Sequence, residues 1–236
     1  MTWHIARTRS LIEDAFGRDQ LDLARPSLKS VVDRQEYARY HYQEAMRLLA
    51  RFTDNYLTRM PLIAVIWSND QNDRLAFEEL MTQLGAHSIA CVQSIHALPD
   101  ILAHMLYFSL GLNRFAGLKE QNVNATTVTT VLKADLAHVE LAHCLDRLTS
   151  GDSFKHLAAL ANHSKHRSIV QPQLNEDLSG LRANRHEVRF SSFAYKGTAF
   201  PEVTIKSLLE PEYVRCAELV VGTGEKLNHV LSRIAP

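Results

Sequence analysis

Cysteine is scarce and scattered. Cys91, Cys144 and Cys216 make no Cys-x-x-Cys pair, and an odd, isolated set excludes a disulfide framework and fits free thiols in a reducing, cytoplasmic setting. Glycine and proline are few, nine and seven in 236 residues, which argues against a β-rich or disordered chain. Neither sign of charge prevails, with 26 Lys plus Arg against 26 Asp plus Glu. No global field therefore draws the chain to nucleic acid or an anionic membrane, and such binding has to come from a local patch.

Other absences narrow the chemistry. Met1-Thr2-Trp3-His4 lacks the basic segment and apolar run of a signal peptide. Residues 85–113 hold one Asp, Asp100, and no Lys, Arg or Glu. His87, Gln93, His96, Pro99 and His104 interrupt that run, so the expectation is a central helix buried by other helices, with no membrane span. There is no G-x-S-x-G elbow. Gly222-Thr-Gly-Glu-Lys226 lacks both the spacing of a phosphate loop and the strand that precedes one. No internal repeat or low-complexity tract occurs.

What is present is apolar periodicity, with hydrophobic residues at 46%. It predicts one mainly α domain over 1–236, an antiparallel helical bundle with a C-terminal β-hairpin and a closing helix. The parts are an N-terminal arm (1–32) with one short helix, the bundle (33–170), a hairpin (186–206) and a last helix (211–234). Asp33 with Glu36 reads as a capping box opening a helix to about Thr58 that buries Tyr37, Leu48, Phe52 and Tyr56. A helix over 74–110 follows, kinked or split at Pro99. Asn124 caps another reaching Ser150, with Val128, Leu132, Leu136, Val139, Ala142 and Leu145 inside. Residues 171–185 read as loop. Val188, Phe190, Phe193 and Tyr195, then Phe200, Val203 and Ile205, alternate as hairpin strands turning near Lys196-Gly197, with a bulge at Ser191-Ser192. Pro211 suits the first turn of the last helix, while Gly222 and Gly224 weaken that helix or admit a close neighbour.

One stretch concentrates polar side chains. Over 153–167, Phe154, Leu157, Ala158 and Ala161 share one helix face. Lys155, Asn162 and His166 line one flank, and His156, His163 and Arg167 the other. Lys165 continues the apolar face and has to snorkel or find a carboxylate. Asp135, His138 and Asp146 project from the inner face of the preceding helix, and Asp135 is the candidate partner for Lys165 or the Asn162/His166 pair, with His138 supporting. One interpretation is a solvated last turn whose cations favour the helix dipole. The other is a polar site that binds phosphate through Lys165, Arg167, His163 and Lys155, or moves a proton at His166 with Asn162 orienting the ring. Arg182, Arg185 and Arg189, with Phe193 and Tyr195 for stacking, would extend a basic surface if the hairpin folds back.

Twelve histidines invite a metal. Glu140-Leu-Ala-His143 is a lone E-x-x-H, whereas a di-iron bundle needs two such motifs and two more glutamates. Asp135-x-x-His138 with His87, His96 or His104 is the other candidate set, and hydrogen-bonded core histidines explain the same residues. No metal or cofactor is assigned.

The helical pattern with Asn162-x-x-x-His166 resembles the HEPN (higher eukaryotes and prokaryotes nucleotide-binding) group. The resemblance covers residues 74–170 at most and implies a four- to five-helix bundle, often dimeric. The group's catalytic members are metal-independent ribonucleases of toxin and phage-defence systems, with an Arg-polar-x-x-x-His motif. Asn162 and His166 match its polar residue and histidine, and Ala161 departs from its arginine. The resemblance thus implies a non-cleaving domain binding RNA or a nucleotide-type phosphate, or a variant ribonuclease. Two further readings stand beside it: a non-enzymatic homodimeric interaction protein whose polar motif is structural, and a metal-binding helical bundle.

Overall fold

The computed structural model describes residues 2–115 and 117–235. Among them are nine α-helices and two small antiparallel sheets: α1 (Ile5–Phe16), α2 (Arg18–Phe52), α3 (Leu62–Ile66), α4 (Gln71–Ser109), α5 (Leu112–Phe115), α6 (Ala125–Lys133), α7 (Val139–Thr149), α8 (Asp152–His166), β1 (Pro172–Glu176), β2 (His186–Phe190), β3 (Phe193–Tyr195), β4 (Thr198–Phe200), β5 (Val203–Thr204) and α9 (Ile205–Ile234). The mainly α class, the C-terminal hairpin and the closing helix are as expected. The backbone groups into two compact units, Met1–Glu36 with Ser94–Lys155 and Tyr213–Pro236, and Tyr37–Gln93 with His156–Glu212.

In the first unit there is no separate arm. Helix α2 begins at Arg18 and runs through Pro26. An interior proline costs about 3 kcal/mol. Leu21, Leu28 and Val31, all at most 1% exposed, each return about 1.5–3 kcal/mol on burial, so the helix continues. Asp33 therefore sits inside the helix, bonded to Lys29 rather than capping anything. Helix α4 likewise passes through Pro99 unbroken, with Leu98, Leu102, Met105 and Leu106 fully buried. It is the one helix among the described residues long and apolar enough to cross a membrane, and 56% of its most apolar stretch is buried inside the protein.

The helix expected over 125–150 is two helices. Asn124 caps α6 in a box with Thr127. Then Asp135 Oδ1 accepts from the Ala137 N–H at 2.9 Å, an Asp-centred turn that competes with helix. Leu136, expected inside, is 93% exposed as a result. Helix α9 packs against the start of the chain. A Cβ on Gly224 would lie 2.1 Å from the Trp3 ring, so only glycine admits that contact. The Trp3 indole donates to Thr8 Oγ1 at 2.8 Å, and Thr8 Oγ1 donates to Asn228 Oδ1 at 2.7 Å. Gly222 has open space beside it.

In the second unit, Tyr37 is half exposed rather than buried, while Phe52 packs on Tyr56 and Phe77. Residues 172–176, expected as loop, form β1, paired with β2. Only Pro172 and Leu174 of that strand are buried, too few to give a period-2 signal. Glu176 Oε2 accepts from the Leu62 N–H at 2.8 Å at the start of α3. Burial works to raise the Glu176 pKa, and that N–H with Arg185 and His186 outweighs it, holding the carboxyl below its usual value.

The hairpin keeps one register. Arg189 faces Thr204, Phe190 faces Val203, Phe193 faces Phe200 and Tyr195 faces Thr198. Its ladder is interrupted where Ser191 and Ser192 stand opposite Pro201 and Glu202, and Pro201 has no N–H to give. The expected bulge is thus a break that divides the hairpin between two sheets. Helix α9 starts six residues earlier than expected, at Ile205, with Thr204 Oγ1 accepting from the Ser207 N–H at 3.0 Å. Pro211 lies inside it.

Candidate functional site

Helix α8 opens after Gly151, whose φ of +97° suits glycine. Its first turn is closed by Lys155, whose ammonium donates to Asp152 Oδ1 at 3.0 Å. Lys155 is thereby placed at the opposite end of the helix from the other proposed phosphate ligands, with a carboxylate of its own.

Along the second half, one flank is covered by the β3–β4 hairpin. The turn uses Lys196 at φ +49° and Gly197 at φ +80°, the two positive φ values a tight two-residue hairpin requires. The paired Phe193 and Phe200 rings stack at 5.0 Å. His156 packs against both, at 5.7 and 5.2 Å between ring centres. His156 is 8% exposed, its Nε2 has no hydrogen-bond partner, and burial lowers its pKa. It is held as a neutral aromatic ring.

His163 stands edge-on to Phe193 at 5.4 Å and Tyr195 at 6.2 Å. Its Nδ1 is 2.6 Å from the Ser168 carbonyl. A carbonyl only accepts, so Nδ1 carries the hydrogen. His163 closes the helix end together with the Arg167 and Ser168 N–H groups, which donate to its own carbonyl at 2.9 and 3.1 Å. The hairpin does fold back, and these two histidines are the surface it folds onto.

The end of the helix is different. Lys165, His166 and Arg167 are exposed and Asn162 is half-buried. Among the described residues no side-chain hydrogen bond or ion pair engages any of the four. Asn162 and His166 are one turn apart on the same flank. Ala161 is fully buried, so that position faces the core. On the hairpin, the Lys196 ammonium lies over the Tyr195 ring, 5.5 Å from its centre. No Asp or Glu occurs between Asp152 and Glu176, nor from Val188 to Pro201. The two segments that meet here supply cations and an aromatic ring without a competing carboxylate.

Comparison of the chain with protein-family models, with curated proteins and with solved structures finds no match. The chemistry rests on the residues themselves.

The remaining candidates are engaged elsewhere. Asp135 and His138 lie in the α6–α7 turn, with His138 Nδ1 3.2 Å from Asp135 Oδ2, and close that turn locally. Arg182 and Arg189 face Glu187 at 3.8 and 2.8 Å, Arg185 meets Glu176 at 2.8 Å, and Arg189 also meets Glu202 at 2.6 Å. The basic surface therefore contracts to the α8 end and Lys196. Among the described residues no group of three or more His, Cys, Asp or Glu is arranged to hold a metal ion. His96 stacks on Phe154 at 6.3 Å. Sequence reasoning overlooked the packing role of His156 and His163. The signal was available, because i,i+7 histidines followed by a run of alternating Phe and Tyr permit such a stack.

Proposed function

We propose that the end of α8 and the β3–β4 hairpin bind single-stranded RNA, with Lys165, Arg167 and Lys196 on phosphates, Tyr195 stacking on a base, and His166 with Asn162 beside the backbone. One observation carries the reading: among the described residues Lys165, Arg167 and the Asn162 amide make no side-chain hydrogen bond or ion pair, and they stand beside an aromatic hairpin with no carboxylate in either segment. Phosphate contacts supply affinity and aromatic stacking supplies preference for unpaired bases. A HEPN-like role in RNA recognition agrees with this arrangement. The buried Ala161, at the position where the HEPN motif carries its arginine, favours binding over cleavage. The three buried, free thiols agree with a cytoplasmic protein.

The test is fluorescence anisotropy of a labelled single-stranded RNA across a salt series. The Lys165→Gln/Arg167→Gln variant is expected to bind more weakly, with a log–log salt slope reduced by about 0.7 per lost contact. Unchanged affinity and slope would sink the proposal. Product analysis of His166→Ala against the parent separates a binding site from a nuclease.

A second reading, a homodimeric interaction protein, is favoured by Ile63 and Trp67, one turn apart at α3 and 57% and 77% exposed. Light scattering of Trp67→Ser, monomeric where the parent is dimeric, would support it.

A further inference from the structure

We propose that His41 and His87 form a site for one divalent transition-metal ion of the borderline class, Cu2+, Ni2+ or Zn2+. His41 lies on α2 and His87 on α4, both half-buried, with their Nδ1 atoms 3.0 Å apart and ring centres 5.2 Å apart. Two imidazole nitrogens facing each other at that distance need one ring bare at Nδ1, because two N–H groups cannot point at each other. The pair shares one proton. Metals bind the deprotonated ring and release protons on doing so, so an ion can take that proton's place.

The spacing decides the geometry. Nitrogens 3.0 Å apart, each about 2.0–2.1 Å from an ion, subtend about 95° at it. That angle is the one between adjacent positions of a tetragonal or octahedral ion, which suits Cu2+ and Ni2+ best. The rings now meet nearly head-on, and binding requires each to turn about its Cβ–Cγ bond so that the lone pairs converge, with the helix separation kept.

The surroundings add no further ligand. The Tyr40 ring stands edge-on to both imidazoles at 5.2 and 6.2 Å. Glu44 lies one turn beyond His41 on α2. Its carboxylate is held by Arg47, Nε at 2.9 Å and a terminal nitrogen at 2.6 Å. Glu44 is thus neutralised by Arg47 and supplies no ligand atom, so the protein supplies two ligands and water the remainder. Affinity then follows the metal, rising toward Cu2+.

The test titrates Cu2+ into the full-length chain, followed by calorimetry and electron paramagnetic resonance. The expected result is one tight equivalent whose spectrum shows splitting from two imidazole nitrogens. His41→Ala and His87→Ala each weaken it about tenfold or more, while His143→Ala and His229→Ala, at exposed histidines, leave it unchanged. Circular dichroism checks that each variant is folded, and His41→Gln replaces any that is not. A spectrum with a single coordinating nitrogen, or binding retained by both pair variants, places the copper on scattered surface histidines and overturns the proposal.

Discussion

Three histidines of α8 differ only in what surrounds them. His156 is sealed beneath Phe193 and Phe200, His163 is tied to the Ser168 carbonyl, and His166, one turn further on, stands in solvent with no protein partner among the described residues. The hairpin makes the difference. Where it lies on the helix, imidazole serves as a flat aromatic wedge against Phe193. Where the hairpin ends, the same side chain stays available. A histidine-rich helix is thus part architecture and part surface, and the border falls inside its last two turns.

The sharpest way to break this contrast is to charge the covered side. Ala161→Arg places a guanidinium where the native side chain is fully buried. It should destabilise by about 3 kcal/mol or more in denaturant unfolding. A stable variant would mean that this face can open to admit a charged side chain.

Phe193→Ala should cost less, about 2 kcal/mol, because the half-exposed ring loses its contacts with Phe200, His156 and His163. A cost near zero would show the hairpin to be an ornament rather than a cover.

A smaller effect follows from pH. Burial holds the His156 pKa below 6.5, so the unfolded ring binds a proton that the folded ring refuses. The contribution to stability is whole above about pH 6.5, declines as pH falls through that value, and levels off only below the folded-state pKa. His156→Leu should flatten part of that decline in a comparison of unfolding midpoints at about pH 7.5 and about pH 5.5. Equal slopes in the two proteins would show that the ring is not kept neutral. Least of all, His166→Ala should shift stability by under about 0.5 kcal/mol, and a larger loss would move that residue to the architectural side.

How much of this was legible depended on which force decided each element. Helix positions with a strong apolar period, such as Leu84 to Leu106 of α4, were readable, as were Asn124 as a cap and Lys196-Gly197 as a turn. Boundaries failed where a local signal met a tertiary one. Pro26, Pro99 and the Asp33–Glu36 pair all suggest ends, and burial of neighbouring leucines carried the helices through them. Asp135 worked the other way, since a single side-chain turn cut a helix whose period looked continuous. Strand β1 could not be seen, because its order comes from pairing with β2 and from the Glu176 bond to α3. For the site, residue types and helix end were legible, but the neutralisation of Arg185 by Glu176 and of Arg189 by Glu202 was not, since strand pairing brings those partners together. The His41–His87 pair was equally hidden, its members being 46 positions apart.

The Trp3–Gly224 contact also bears on timing. Synthesis delivers Trp3 and Thr8 long before the glycine notch and Asn228 that receive them, 220 positions later in the case of Thr8. Until then an indole ring must wait in water, and closing so long a loop is slow. In a Trp67→Phe background, a nascent chain halted short of residue 224 should keep Trp3 open to a fluorescence quencher, and release should shield it.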